Sequence, residues 1–424
     1  MLRVITNITF NQQPTADFPT RNGTIIYNFC HEFEVTSTWD TLTDDGSITL
    51  PKNVYITDQN GKRYSLGGTN VNLGGFSSNV PVFLRGDKVS VNWGYAYFDK
   101  RGNEVSPITN IYSGFISQVT SKKPFVLKIE DNMYLFKKVK AIGGNNGFFA
   151  GSKYTVESMM SEIIANGAKI NPALSVFTVN TTTSTVLGDF IIQNETIAEV
   201  LSRLRKQFHF ESYFKGNELR CGSFVYLPAD ALINTDGTTR TTFPTFTFQK
   251  NIISDDLNYT RKDDLTLSAV ATNTIEQTTG AITRDGHQKT KKIRLEVLVT
   301  FLNGSDTPNF YIVTKQTPLP PNENGGERRT LHFLGATTTD QLAALAANEL
   351  KKYYYTGFKG KFVTFGIPFI QVGNYINILD PVLPERNGRY VVKAVKYTGG
   401  VNGLRQEIEL DFLVARLDAN GNVI

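Results

Sequence analysis

The sequence predicts a mainly β protein with an inserted α+β unit, in which two similar antiparallel β modules flank a small mixed region. Three observations lead there. Apolar and polar residues alternate with the two-residue period of half-buried strands through the first and last thirds. Helical spacing of apolar residues begins only in the middle, within residues 141–227. An apolar strand end, a Gly-Asp or Gly-Asn turn and an alternating strand occur once in each outer third. Three units follow: 1–140, a first β domain with an N-terminal strand; 141–227, an α+β middle domain; 228–424, a second β domain with one helix over about 338–354. A chain of 424 residues is too long for one ordinary core, so division into two or three is expected on size alone.

The first unit opens on residues 1–10, a strand with Leu2 and Val4 in one phase and without the apolar stretch of a signal peptide. Ser47-Ile48-Thr49-Leu50 and Asn53-Val54-Tyr55-Ile56-Thr57 alternate. Asn60-Gly61 supplies the two positive-φ residues of a tight hairpin, and Arg63-Tyr64-Ser65-Leu66 is its partner strand. Val82-Phe83-Leu84, a break at Gly86-Asp87 and a strand from Lys88 to Trp93 come next. Strands over 111–119 and 125–129 complete the unit, and no helix pattern precedes Glu130.

In the middle, Thr155 caps a helix whose apolar residues Val156, Met159, Met160, Ile163 and Ile164 share one face, with Asn166-Gly167 as its stop. Thr196-Ile-Ala-Glu199 is a capping box opening a second helix with the stripe Ile197, Val200, Leu201 and Leu204. Short strands at 210–214 and 218–221 flank the turn Lys215-Gly216-Asn217. Gly-rich residues 143–147 lead into this unit, and the polar stretch 228–242 leads out. The last third returns to strands at 245–249, 265–272, 292–302 and 310–314, a loop or arm at 318–329, and a helix with the stripe Leu342, Leu345, Ala346, Leu350 and Tyr353, ended by Gly357. Strands at 361–365, 375–379, 390–397 and 405–412 close the chain.

The repeated motif is Phe83-Leu-Arg-Gly86-Asp87-Lys-Val89-Ser-Val91 in the first module and Phe369-Ile-Gln-Val-Gly373-Asn374-Tyr-Ile376-Asn-Ile378 in the second. Each is followed by a long strand that turns back into a shorter one, from Tyr112 to Asp131 and from Tyr390 to Asp411. Two copies of one module explain this. Gly-Asp and Gly-Asn turns are also common between strands of any β protein, so pattern alone leaves coincidence open.

Several function classes find no support. Net charge is +5 over the whole chain, too mild to announce a nucleic-acid binder, and the Lys137–Lys140 and Lys289–Arg294 clusters read as solvated edges or loops. Cys30 and Cys221 match no metal spacing and no disulfide framework, so both are expected as free thiols in a reducing compartment. No apolar run reaches a membrane span. His31, His209, His287 and His332 form no His-x-x-x-His, and there is neither a Gly-x-Ser-x-Gly elbow nor a Walker loop. Asp255-Asp256 and Asp263-Asp264 are neighbours that a strand would turn to opposite faces, which makes them poor catalytic pairs. Asp44-Asp45-Gly46 reads as a turn, with a loop cation site as the other reading. No catalytic, cofactor-binding or metal-binding residue is therefore assigned, and no cofactor is expected.

Three stretches together resemble the hub proteins of phage tail baseplates and contractile injection systems, including late-control tail proteins and the hub part of type VI secretion spike proteins. They are Phe83 to Tyr95 running on to Ser113-Gly-Phe-Ile116 and Ile129-Glu-Asp131; Asp189-Phe-Ile-Ile-Gln-Asn-Glu-Thr196 with the helix and strands after it; and Gly360-Lys-Phe-Val-Thr-Phe-Gly-Ile-Pro368, Val372-Gly-Asn374 and Gly388-Arg-Tyr-Val-Val392. The resemblance implies two tail-tube-like antiparallel β-barrels joined by the mixed domain. It implies a homotrimeric, pseudo-sixfold ring adapting a sixfold tail tube above to a threefold spike below, with other baseplate proteins around it and no catalysis. Only a dozen residues follow Phe412, so the spike is expected as a separate chain. Nucleic acid would meet the ring only in passing through its lumen. The implied location is a virion baseplate or assembled injection particle, folded in the bacterial cytoplasm. Two other readings remain at this point: a tail-associated glycan or peptidoglycan hydrolase, which lacks an active-site signature here, and a host-surface adhesin using the 318–329 arm.

Overall fold

A computed structural model describes residues 3–51, 55–57, 63–65, 81–120, 124–151, 153–181, 189–208, 210–222, 243–264, 266–282, 288–302, 304–305, 307–322, 326–333 and 336–424. The expected Asn60-Gly61 turn, the 228–242 connection, His209 and His287 lie outside these residues.

The first unit contains β1 (Arg3–Asn11), β2 (Thr24–Tyr27), β3 (Glu32–Thr38), β4 (Asp45–Leu50), the small hairpin β5 (Tyr55–Thr57) and β6 (Arg63–Ser65), β7 (Lys88–Phe98), β8 (Glu104–Val105), β9 (Ile108–Val119) and β10 (Phe125–Glu130). The middle holds α1 (Met133–Phe136), β11 (Phe148–Phe149), α2 (Val156–Ile170), β12 (Thr178–Asn180), β13 (Phe190–Ile191), α3 (Ile197–Phe208), β14 (Glu211–Lys215) and β15 (Glu218–Gly222). The last part holds β16 (Thr245–Thr247), β17 (Ile252–Thr260), β18 (Leu267–Ile282), β19 (Gln288–Phe301), β20 (Asn309–Ile312), β21 (Glu327–His332), α4 (Thr339–Lys351), β22 (Gly357–Phe365), β23 (Tyr375–Leu379), β24 (Gly388–Gly400) and β25 (Arg405–Arg416).

The protein is mainly β, as expected. Both outer regions join one 14-stranded sheet whose main path is β17-β22-β25-β24-β3-β4-β10-β9-β7-β1-β2. Among the described residues this path is open, ending on β17 and β2, and does not trace the two closed barrels that the resemblance implies. The seam between the regions is β24 against β3, antiparallel from Ala394↔Thr38 to Gly400↔Glu32. One apolar core spans both, from Ile8, Val91 and Trp93 to Ile376, Val395 and Ile408. The middle has its own core around Met160, Ile163, Leu201 and Leu219. Burying a side chain such as Ile163, which is fully covered, stabilises by about 1.5–3 kcal/mol. A third core lies between α4 and the long β18–β19 hairpin, at Ala269, Val299, Leu342 and Ala346.

Local chemistry explains most helix starts. The Thr155 hydroxyl accepts from the Ser158 N–H, and Thr196 and Glu199 complete the capping box, with Glu199 N donating to Thr196 Oγ1 at 3.2 Å and Thr196 N to Glu199 Oε2 at 2.6 Å. Three expectations change. Asn166-Gly167 does not stop α2. Gly167 is a close-packing position, where a Cβ would stand 3.0 Å from Leu174 and 3.1 Å from Ile197, and the helix ends at Asn171 before Pro172. Helix α4 stops at Lys351, and Gly357 instead begins β22. Asp44-Asp45-Gly46 is not a turn, because Asp45 and Gly46 are already in β4. A Cβ on Gly46 would lie 2.2 Å from the Glu34 carbonyl oxygen of the adjacent strand.

The repeat extends into three dimensions. Gly86 N donates to Ile116 O (2.8 Å) and Ile116 N to Asp87 O (2.9 Å); Gly373 N donates to Val392 O (2.9 Å) and Val392 N to Asn374 O (2.9 Å). Both glycines have positive φ, +100° and +76°. The same β-bulge follows. Ile116↔Ile129 jumps to Gln118↔Lys128 past Ser117, and Val392↔Leu410 jumps to Ala394↔Glu409 past Lys393. Even Gly46 has its counterpart. It faces Val35, while Gly360 faces Leu257 with a would-be Cβ 2.1 Å from the Asp256 carbonyl oxygen. The four-strand set β3-β4-β10-β9 thus matches β17-β22-β25-β24, strand for strand.

Candidate functional site

Two surfaces and one interior junction stand out. The first surface is the outer edge of β17, which among the described residues pairs with β22 alone. Residues 253–256 and Asn258 on it are exposed. Asp255 and Asp256, neighbours on this strand, are edge charges of the kind that discourage indiscriminate pairing. The second is the end of β9 after Ile116, where the contacts with β7 and the turn before it have stopped and, among the described residues, β10 alone remains alongside. In the second module the matching end of β24 is covered by β3.

The junction is a row of polar side chains crossing four strands. The register Thr36↔Asp45 puts Ser37 opposite Asp44, and Glu130↔Asp45 puts Asp131 opposite Asp44 from the other side. Glu130↔Phe115 continues the row to Gly114. Ser37 Oγ donates to Asp44 Oδ2 at 2.5 Å and Thr38 N to Asp44 Oδ1 at 3.1 Å. Met133 N donates to Asp131 Oδ1 at 3.1 Å, and Asp131 N to the Asp44 carbonyl at 3.0 Å. A Cβ on Gly114 would stand 2.6 Å from the Tyr112 hydroxyl, so the glycine makes room for that ring to fold over it. Tyr112 is 6% exposed, and its hydroxyl has no hydrogen-bond partner among the described residues.

A cavity of about 230 Å³ opens on this row and reaches the β14–β15 turn at Gly216 and, from the last region, Gln371 and Tyr397. Burial pushes Asp44 up to about 6; the Asp45 charge adds to this, and the hydrogen bonds from Ser37 and Thr38 oppose it. Burial, then the charge of Asp44, lifts Asp131 well above the carboxylate range. Burial raises the Tyr112 hydroxyl too, followed by the charges of Asp131 and Asp44.

A second polar cluster ties the middle to the last region. Lys352 Nζ lies 3.0 Å from Glu349 and 3.8 Å from Glu211 on β14. The bulged Lys393 reaches Asp40 at 2.7 Å and Glu409 at 3.2 Å. Burial pushes Glu211 up to about 7 against the pull of Lys352, and Asp411 up to about 6.

The other residues weighed from sequence are dispersed. His31 is exposed, and His332 Nδ1 is 2.7 Å from Thr272 Oγ1. Asp263 pairs with Arg261 at 3.0 Å. Cys30 and Cys221 are buried free thiols, pushed by burial to about 11 and about 12. In the Gly-rich loop, Gly144 N donates to Glu162 Oε1 at 2.8 Å, so a carboxylate takes the amide that a phosphate would use. Lys137 pairs with Glu130 at 2.8 Å, and Lys138 sits 4.0 Å from the centre of the Tyr134 ring. In the arm, Arg328 donates to the carbonyls of Pro320 and Pro321. Among the described residues no group of three His, Cys, Asp or Glu side chains is placed to hold a metal ion, and no helix is long and apolar enough to cross a membrane.

No protein-family profile and no curated protein sequence matches the chain. Solved structures do. The tail protein from Neisseria meningitidis MC58 has a TM-score of 0.53 at 11% identity, covering 96% of each chain. The 43 kDa tail protein of prophage MuSo2 from Shewanella oneidensis has a TM-score of 0.50 at 11% identity, covering 96% of this chain and 98% of its own. The chain therefore shares the fold of these two tail proteins along nearly its whole length.

Proposed function

We propose that this chain is a structural baseplate hub of a phage tail or contractile injection particle. It assembles as a homotrimer whose six tail-tube-like modules form a pseudo-sixfold ring between a sixfold tube and a threefold spike. Units 1–140 and 228–424 supply the modules and 141–227 the connector. The carrying observation is the seam of β24 on β3 between two modules of one chain. Each module has a β3-like edge and a β9-like edge, and among the described residues one of each is used internally. Repeating the seam places β17 of one chain on the end of β9 of the next, with Asn258 opposite Thr120 and Thr260 opposite Gln118. This head-to-tail contact pairs the open backbone edges and, with three copies, alternates three internal seams with three between chains. The role is assembly, with no reaction, and the particle is the location.

Light scattering on the eluting species, with averaged electron micrographs, tests this. The expected result is a trimer with six similar lobes around an axial opening. A species that stays monomeric at high concentration, and remains so with tube and spike proteins added, would overturn the proposal.

A further inference from the structure

The duplication provides an internal control for the Ser37–Asp44–Asp131 row. Counting from Gly46 and Gly360, the place of Asp44 is taken in the second module by Phe358, and Ser37 is replaced by Tyr259. Counting from the shared bulge, Asp131 is replaced by Phe412. Tyr259 and Phe358 are packed edge to face with centroids 5.3 Å apart. The sheet therefore accepts an apolar filling at these positions. Two opposed carboxylates in a part-buried site cost stability unless a proton or a cation balances them, and the first module alone offers such a pair to an occupant.

We propose that the junction binds a calcium-sized divalent cation through the carboxylates of Asp44 and Asp131, with the Tyr112 hydroxyl and neutral oxygens of the cavity wall completing the shell. The donor set is all oxygen, the preference of hard cations, and two carboxylates balance a double positive charge. Directly opposed strand residues stand about 4.5–5.5 Å apart at Cβ, a span one cation can bridge. Tyr112 lines the cavity with a buried hydroxyl that has no hydrogen-bond partner among the described residues, and the absence of a Cβ on Gly114 makes room for it. The 230 Å³ cavity holds an ion with several waters, each taking about 30 Å³. Its walls come from the first module, the β14–β15 turn and the last region, so a bound cation would clamp all three. The proposal does not depend on the ring.

Terbium luminescence on the full chain tests it, because a nearby tyrosine sensitises a bound terbium ion. In metal-free buffer, emission should saturate at one ion per chain and be displaced by calcium with an apparent Kd of about 10⁻⁴–10⁻³ M, the range of sites with few charged ligands. Calcium should also raise the Tm. Asp131→Asn, nearly isosteric, should weaken binding at least about tenfold. Tyr112→Phe should lower the sensitised emission while leaving part of the calcium-induced rise in Tm. If either variant does not fold, Asp44→Asn replaces it and should weaken binding in the same way. Absence of both saturable emission and a calcium-induced Tm rise in the folded wild type would overturn the proposal. So would an undiminished response in Asp131→Asn, or equal displacement by magnesium.

Discussion

The two β modules share a turn, a bulge and a close-packed glycine, but differ in what holds the turn. In the first, Asp87 Oδ2 accepts from Leu84 N at 2.8 Å; in the second, Asn374 Oδ1 accepts from Gln371 N at 2.9 Å. The local geometry is equivalent, but the charge is not. Asp87 is buried, so it needs Arg21, which meets it bidentately at 2.8 and 2.6 Å and also donates to the carbonyls of Gln13, Pro81 and Val82. Asn374 needs no counter-ion. One copy of the turn is thus an anchor for distant segments, and the other is a plain turn. They differ again at their edges, since β3 is covered by β24 and β17, among the described residues, has no strand on its outer side.

That comparison can be broken at four points. The largest effect is all-or-none: Asn258→Cys with Thr120→Cys should give a disulfide-linked ladder ending at trimer on a non-reducing gel, the native thiols being buried. A product that stays at monomer size with both new thiols free would refute the proposed edge pairing. Next, Arg21→Ala leaves Asp87 buried without its partner and should cost about 3–5 kcal/mol in urea unfolding. A loss below about 1 kcal/mol would mean that water reaches the site.

The third is a pH effect at Glu211, faced by Lys352, Asp411, Glu349 and Asp40. Its folded pKa, about 7, lies above the ordinary value of 4.5. Its stabilising contribution is therefore complete below that ordinary value and is lost as pH rises through about 7. Wild type should lose Tm relative to Glu211→Gln between those limits, and parallel Tm profiles would exclude the effect. The smallest is Asn374→Ala, which removes one local hydrogen bond and should cost about 1 kcal/mol by urea unfolding. A loss matching that of Arg21→Ala would erase the distinction between the two turns.

Much of the fold was legible because it is local. The Thr155 and Thr196 caps, the apolar stripes of α2 and α3 and the paired Gly86 and Gly373 turns are short-range patterns with direct physical causes. What escaped was long-range or depended on packing. Nothing within 32–38 or 388–400 announces that these strands pair, because register between segments so far apart in the chain is set by the assembled sheet. Gly167 and Gly46 have the sequence pattern of breakers, although each is small because a neighbour approaches closely. The Asp44–Asp131 pair escaped because one residue looked like a turn and the other like a strand end. Its signal lies in the correspondence of the two modules, since Phe358 and Phe412 stand where those acids do.

The seam between β24 and β3 has a kinetic meaning as well. Both strands belong to one chain, so this joint closes during folding at a rate independent of concentration and does not come apart on dilution. In a ring of three such chains, half of the joints are therefore exempt from mass action. A ring of six single-module chains would have to nucleate through dimers and trimers joined by contacts that dilution reverses. Gene duplication would then have acted on the order of assembly, replacing three bimolecular encounters with three folding events.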